Sequence, residues 1–271
     1  MVAGPAASDL LKDIERQKMP VAMFEYNVDA PDMGGRKARY WQNGGTGNLP
    51  LVMVNSGREL TWGAQTPHVA DSYKKKYGAM LQTARAERAT AEVHVWYKRA
   101  TLDSLKVQVD VTNIGTLPLD PFADKPAQVV VFLVEDIEII HMTKSARAVQ
   151  YLMLDDVLQP GETAHLEGQL TGEKGTNYNK SKVVAVLEFG DADGWDVAGG
   201  AWGEQGERPV AAPPTATDVP PTAEPPTAVP PTMTMPPIIA PTPQPTEAPP
   251  VASRFWAYLP LSLSAAPLGE P

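Results

Sequence analysis

Val107-Gln108-Val109-Asp110-Val111-Thr112-Asn113-Ile114-Gly115 alternates apolar and polar residues at a period of two and closes on Asn-x-Gly, the pattern of a half-buried strand running into a turn. The same period extends on both sides. Before it, Val93, Val95 and Tyr97 alternate with His94, Trp96 and Lys98; Leu105 and Lys106 begin the strand itself. After it come a β-branched run from Gln128 to Val134, a second run from Gln150 to Leu154, and Thr163 to Leu170 following the turn Gln159-Pro160-Gly161-Glu162. Val183 to Phe189 closes the set. Short strands punctuated in this way predict an antiparallel β-sandwich of roughly 100 residues, each strand with one apolar and one wet face.

Upstream of Ala91 the pattern is mixed. Ser8 to Gln17 predicts the last turns of an amphipathic helix, with Ser8 or Asp9 as cap and Leu10, Leu11 and Ile14 on one face, and Pro20 stops it. Val21 to Val28 has strand length and is mostly apolar, as in a strand covered on both faces of a mixed sheet. Gly34-Gly35 precede a short helical candidate, Arg36 to Trp41. A strand over Asn48 to Asn55, a turn at Ser56-Gly57 and a strand over Glu59 to Trp62 follow. Pro67 opens a longer helix to about Arg88, with Val69, Tyr73, Tyr77, Met80, Leu81 and Ala84 at spacings of three and four.

Between Pro209 and Pro250 lie 16 of the 28 prolines, eight threonines and no lysine or arginine. Proline fixes φ and donates no backbone hydrogen bond, so this stretch predicts a disordered, semi-extended stalk rather than helix or sheet. The expected organisation is therefore residues 1–89, 90–203, a Pro/Thr-rich linker at 204–252 and a short apolar tail at 253–271. That tail, with Phe255-Trp256-Ala257-Tyr258-Leu259, is too short and too interrupted by Pro260 to span a bilayer. It could pair as a strand, lie at an interface or be read by sorting machinery.

A net charge of -9 argues against a nucleic-acid partner, and Lys74-Lys75-Lys76 reads as a solvated face. Cysteine is absent, which excludes disulfides, thiolate metal sites and thiol redox chemistry within these residues. Met1 to Lys18 carries no basic segment followed by an apolar core, so no signal peptide is visible, whereas the stalk points to an envelope or secreted protein.

Asn48-Leu49-Pro50-Leu51-Val52 resembles the cis-proline loop of thioredoxin-fold proteins, which leads into antiparallel strands. The resemblance places Pro50 at the cis-proline and has no residues to offer for the Cys-X-X-Cys, whose strand and turn would precede Met1. Val107-x-Val109-x-Val111-x-Asn113-x-Gly115 and Leu158-Gln159-Pro160-Gly161-Glu162 are similar to strand and turn motifs of bacterial Ig-like modules. An incomplete thioredoxin-like α/β part followed by an Ig-like β-sandwich resembles the Omp28-related family of envelope proteins over about residues 8–200. A thioredoxin-like sheet without its first strand implies an open edge, and hence faster amide exchange in residues 1–90 than in 91–190.

His68, His94, His141 and His165 show no metal-ligand spacing and read as surface or edge histidines. Gly44-Gly45-Thr46-Gly47 lacks the Lys-Ser/Thr and the helix of a phosphate loop. Asp191, Asp193 and Asp196 could gather oxygens around Ca²⁺, or simply form a turn; their glycine and glutamate spacing departs from the EF-hand loop. Asp155-Asp156 is a weaker version of the same signal. Trp195 and Trp202 form either an exposed platform for glycans or a cap folded onto the sandwich. Asn179-Lys180-Ser181 fits a glycosylation sequon, and the stalk threonines suit O-linked sugars. No catalytic, cofactor or metal residue is assigned. The expected role is that of a non-enzymatic extracytoplasmic scaffold or binding module, its partners cell-envelope components or another envelope protein. The competing expectations are a thiol-disulfide oxidoreductase whose Cys-X-X-Cys lies upstream, and a Ca²⁺- or glycan-dependent adhesion module.

Overall fold

The computed structural model describes residues 9, 10, 12–14, 16, 22–27, 51–62, 70–139, 142–191, 194–209 and 258–263. Helical residues 9, 10, 12–14 and 16 are followed by β1 (Ala22–Asn27), β2 (Leu51–Val54), β3 (Glu59–Trp62) and helix α1 (Ala70–Ala86). Then come β4 (Ala91–Thr101), β5 (Ser104–Asn113), β6 (Gln128–Ile139), β7 (Met142–Met153), β8 (Thr163–Thr171), β9 (Ser181–Asp191), β10 (Gly194–Trp202), β11 (Glu204–Gln205) and β12 (Tyr258–Leu263). Strands dominate and helices are few. Arg36 to Trp41, Gly44 to Gly47, Pro50, His68, Val69 and His141 lie outside the described residues.

Strand order is β11-β4-β5-β8 in the smaller sheet and β10-β9-β6-β7-β1-β12 in the larger; β2 and β3 form a separate antiparallel pair. In the smaller sheet, period two does what hydrophobicity requires. Val107, Val109 and Val111 are fully buried, set opposite Tyr97, Val95 and Val93 of β4, while Gln108 and Asp110 face outward. Their inner face packs on Val129, Val131 and Leu133 of β6 and on Val183, Ala185 and Leu187 of β9.

One wet face per strand, expected from the sequence, is found on β4, β5 and β8 but not on β6 and β9. Val129 to Val134 and Val183 to Leu187 are buried without interruption. Val130, Phe132 and Val134 turn away from the sandwich interior and join Ala146, Val184, Val186 and Met53 of β2 in a second cluster, with Trp202 packed against it. The larger sheet is thus covered on both sides, which is why its central strands read as continuous apolar runs.

Two strands differ from expectation, and the C-terminal tail takes the first of the three courses open to it. β7 begins at Met142 rather than Gln150, because Lys144 and Arg147 interrupt the apolar pattern; both charges are paired across to β6, Lys144 to Asp136 at 2.7 Å and Arg147 to the buried Glu135 at 2.6 Å. β10 occupies a stretch read as a turn, since Gly194, Gly199 and Gly200 suppress the strand signal. At Gly199 the backbone comes so close to β4 that a Cβ would lie 2.1 Å from the Ala91 carbonyl oxygen. The apolar tail supplies β12, which pairs in parallel with β1 from Ala22↔Tyr258 to Asn27↔Leu263. β12 is an edge strand, the place in a sheet where a residue such as Pro260 is tolerated. With β7 on its other flank, β1 has a neighbour on each side rather than an open edge.

The segments at residues 107–115 and 158–162 meet at one corner. Asn113 is 0% exposed; its Nδ2 donates to the carbonyls of Leu117 and Leu158, each at 2.9 Å, and its Oδ1 accepts from the Gly115 N–H at 3.0 Å. The main chain adds bonds to Gly161 and Glu162. Gly161 sits at φ +86°, which the turn requires and a side chain resists. At the opposite end Tyr178 Oη donates to the Asp103 carbonyl and accepts from the Gly172 N–H, and the Arg99 guanidinium lies 4.4 Å from its ring centre.

Candidate functional site

The turn Asn55–Gly57 joins β2 to β3, and both Asn55 (φ 48°) and Ser56 (φ 57°) adopt the left-handed conformation. Non-glycine residues rarely do so without compensation from their surroundings. The compensation here is polar. Ser56 Oγ donates to Glu188, a carboxylate on β9 that is 0% exposed in the middle of an otherwise apolar run. Asn55 Nδ2 donates to Glu87 just beyond α1 at 2.8 Å. Arg58 NH1 reaches Asp196 of β10 at 2.9 Å, and the other oxygen of Asp196 accepts from the Val197 N–H at 2.8 Å. The hairpin tip is therefore pinned to the outer face of the larger sheet by one ion pair, Arg58 to Asp196, and one hydroxyl, Ser56 to Glu188.

A shallow recess beside this anchor is lined by Asn55, Ala84, Glu87, Arg88, Val197 and Gly199. It has room for little more than a water molecule, far below the several hundred Å³ of a small-molecule site. Among the described residues no three His, Asp or Glu side chains converge in a way that could hold a metal ion.

The residues singled out in the sequence are dispersed. Asp193 lies outside the described residues; Asp196 is engaged by Arg58, and Asp191 sits opposite Gly194 where β9 turns into β10. Trp202 folds onto the outer cluster as a cap, and Trp195 is half-buried opposite Gly190. Asp155 and Asp156 are exposed in the turn after β7. His94 stacks on Trp96 and pairs with Glu92 at 3.2 Å; His165 pairs with Asp110 at 2.7 Å. The hydroxyl of Ser181 in the sequon is spent on the Asn177 carbonyl at 2.9 Å. Lys74 pairs with Asp9 at 2.8 Å and holds that carboxyl below its usual range. On the outer face of the smaller sheet, hydrogen bonds from Lys106 and Gln108 lower Glu167, and Lys98 lowers Glu207, whereas burial pushes the Tyr97 hydroxyl up.

Sequence inspection passed over Asn55, Ser56 and Glu188. The available signal was Glu188 itself, a lone acid inside Val183-Val184-Ala185-Val186-Leu187-Glu188-Phe189, because a buried carboxylate demands a partner. Replacing Ser56 by alanine removes that donor and is expected to lower stability by about 1–3 kcal/mol in urea unfolding. In a double-mutant cycle, Ser56→Ala and Glu188→Ala should couple by more than about 0.5 kcal/mol; simple additivity would show that the bond does not hold the hairpin.

No protein-family model and no curated protein sequence matches the chain. Among solved structures it is similar to a domain of the outer membrane lipoprotein Omp28 from Porphyromonas gingivalis, with TM-score 0.27 and 13% identity over 42% of this chain and 86% of that one. It is also similar to HBP35 of Porphyromonas gingivalis, with TM-score 0.41 and 14% identity over 67% of this chain and 62% of that one, less than two thirds of its length. The sporulation control protein Spo0M of Bacillus subtilis overlaps it with TM-score 0.27 and 15% identity, over 42% of this chain and 46% of that one.

Proposed function

We propose that this is a non-enzymatic extracytoplasmic protein, envelope-held or secreted, in which an incomplete thioredoxin-like part covers an Ig-like sandwich and the Pro/Thr stretch displays both. The observation that carries this is the use made of the β2–β3 tip. Ser56 and Arg58, at the end of the hairpin that the resemblance places after the cis-proline loop, are committed to Glu188 and Asp196 of the sandwich. Met53 adds the apolar contact beneath them. A hairpin spent in this way acts as a cover, which suits a scaffold or binding module whose partners are envelope components or another envelope protein. No helix among the described residues is long and apolar enough to cross a membrane.

Intact mass and N-terminal peptide mapping of the native protein, in envelope, medium and cytoplasmic fractions, test this. The expected product lies in the envelope or medium and carries no Cys-X-X-Cys upstream of Ser8. A product with that motif would replace the scaffold by a thiol-disulfide oxidoreductase, and a purely cytoplasmic product would remove the display role.

A further inference from the structure

After β10 the chain does not simply leave the sandwich. Gly203 N–H donates to the Val183 carbonyl of the larger sheet at 2.7 Å, and β11 then crosses to the smaller sheet, pairing in parallel with β4 at Glu204↔Trp96 and Gln205↔Tyr97. The passage is close: a Cβ on Gly203 would lie 2.8 Å from the Tyr97 ring. Gly206, at φ +141°, turns the chain while its N–H donates to the Tyr97 carbonyl at 2.9 Å. Glu207 then pairs with Lys98, and Arg208 lands on β5, its main-chain N–H on Gln108 Oε1 and its guanidinium on Asp110 Oδ1, both at 3.1 Å. The next residue is Pro209, the first of the proline-rich stretch.

We infer that residues 203–208 form a tension-bearing latch, which carries a pull on the stalk into the interior of the smaller sheet and away from β10. This rests on the stalked-display reading above. β10 is an edge strand of the larger sheet, its ladder formed with β9. A pull applied directly at Trp202 would peel that ladder pair by pair, starting at Trp202↔Val184. β5, by contrast, is bonded to β4 on one side and β8 on the other along most of its length. Arg208 grips it through two separate atoms, one of them in a charge-assisted bond, the stronger kind. The His165 ring, also on Asp110 Oδ1, braces the carboxylate from β8.

The test is force spectroscopy on the purified full chain, held not by its ends, where β12 is paired with β1, but at two introduced cysteines, Thr215→Cys just beyond the latch and Phe122→Cys between β5 and β6, comparing the native sequence with the Glu207→Ala/Arg208→Ala double variant. The native chain should resist until the sandwich ruptures as a whole. The variant should show an earlier, weaker event releasing about 50 Å of chain, the length of Gly194 to Arg208 at roughly 3.3–3.6 Å per residue. Hydrogen exchange supplies the second readout: the amides of Gly203 to Gly206 should exchange about tenfold to a hundredfold faster in the variant. Unchanged protection in β4, β5 and β8 would show that the fold is intact; if those strands lose it, the single Arg208→Ala variant takes its place. An early event already present in the native chain, or equal force and exchange in both proteins, overturns the latch. Both measurements are independent of where the protein resides, so a cytoplasmic location would overturn the display role and leave the latch standing or falling on its own data.

Discussion

Asn113→Ala is expected to lower the free energy of unfolding by about 3–5 kcal/mol, a large part of the total stability of an ordinary domain. The side chain is fully buried and satisfies two carbonyls and one N–H across two chain segments. Alanine removes all three bonds; the Leu158 carbonyl keeps the Leu119 N–H at 3.0 Å, whereas the Leu117 carbonyl and the Gly115 N–H lose this partner, and a buried polar group stripped of its bond costs about 1–3 kcal/mol. Asn113→Asp is the sharper control. It preserves an acceptor for the Gly115 N–H but turns a carboxylate toward the Leu117 and Leu158 carbonyls, so it should be at least as damaging at neutral pH. The measurement is the urea midpoint at constant slope. A loss under about 1 kcal/mol in Asn113→Ala would mean that the corner is held by its main-chain bonds to Gly161 and Glu162 instead.

Phe132→Ala tests the two-sided burial of the larger sheet and should cost about 3–5 kcal/mol. Phe132 is 0% exposed, yet it points away from the sandwich interior into the cluster with Met53, Ala146 and Val184. If that face were wet, as the strand pattern alone suggested, the same change would move stability by about 0.5 kcal/mol or less. Met53→Ala should cost about 2–5 kcal/mol by the same cavity argument, although it lies on the covering hairpin and not on the sheet. A small effect at both positions would detach the N-terminal cover from the sandwich.

Much of the smaller sheet was legible because its strands face water on one side, and a strict alternation such as Leu105 to Val111 admits only one register. The hairpin Leu51 to Trp62 and the buried stripe Tyr77, Met80, Leu81 and Ala84 of α1 followed from equally local patterns. Glu188 and the Ser56 that serves it were harder. A turn signal at Ser56-Gly57 says where the chain reverses, not that the hydroxyl points into another sheet 132 residues away. β10 was concealed by glycines that are there because backbones approach each other, a cause visible only when both backbones are in place.

By itself, the sequence determined the β-sandwich and the helix-and-hairpin character of the first part, since each is a matter of local periodicity. Only the tertiary structure decided that β1 takes the C-terminal β12 as its parallel neighbour, that β6 and β9 are buried on both faces, and that Asn113 unites two distant motifs. Those outcomes depend on which segments meet after long loops have closed. Strand pairing between distant segments is selected by the summed burial of the whole assembly rather than by the few residues that form the pair.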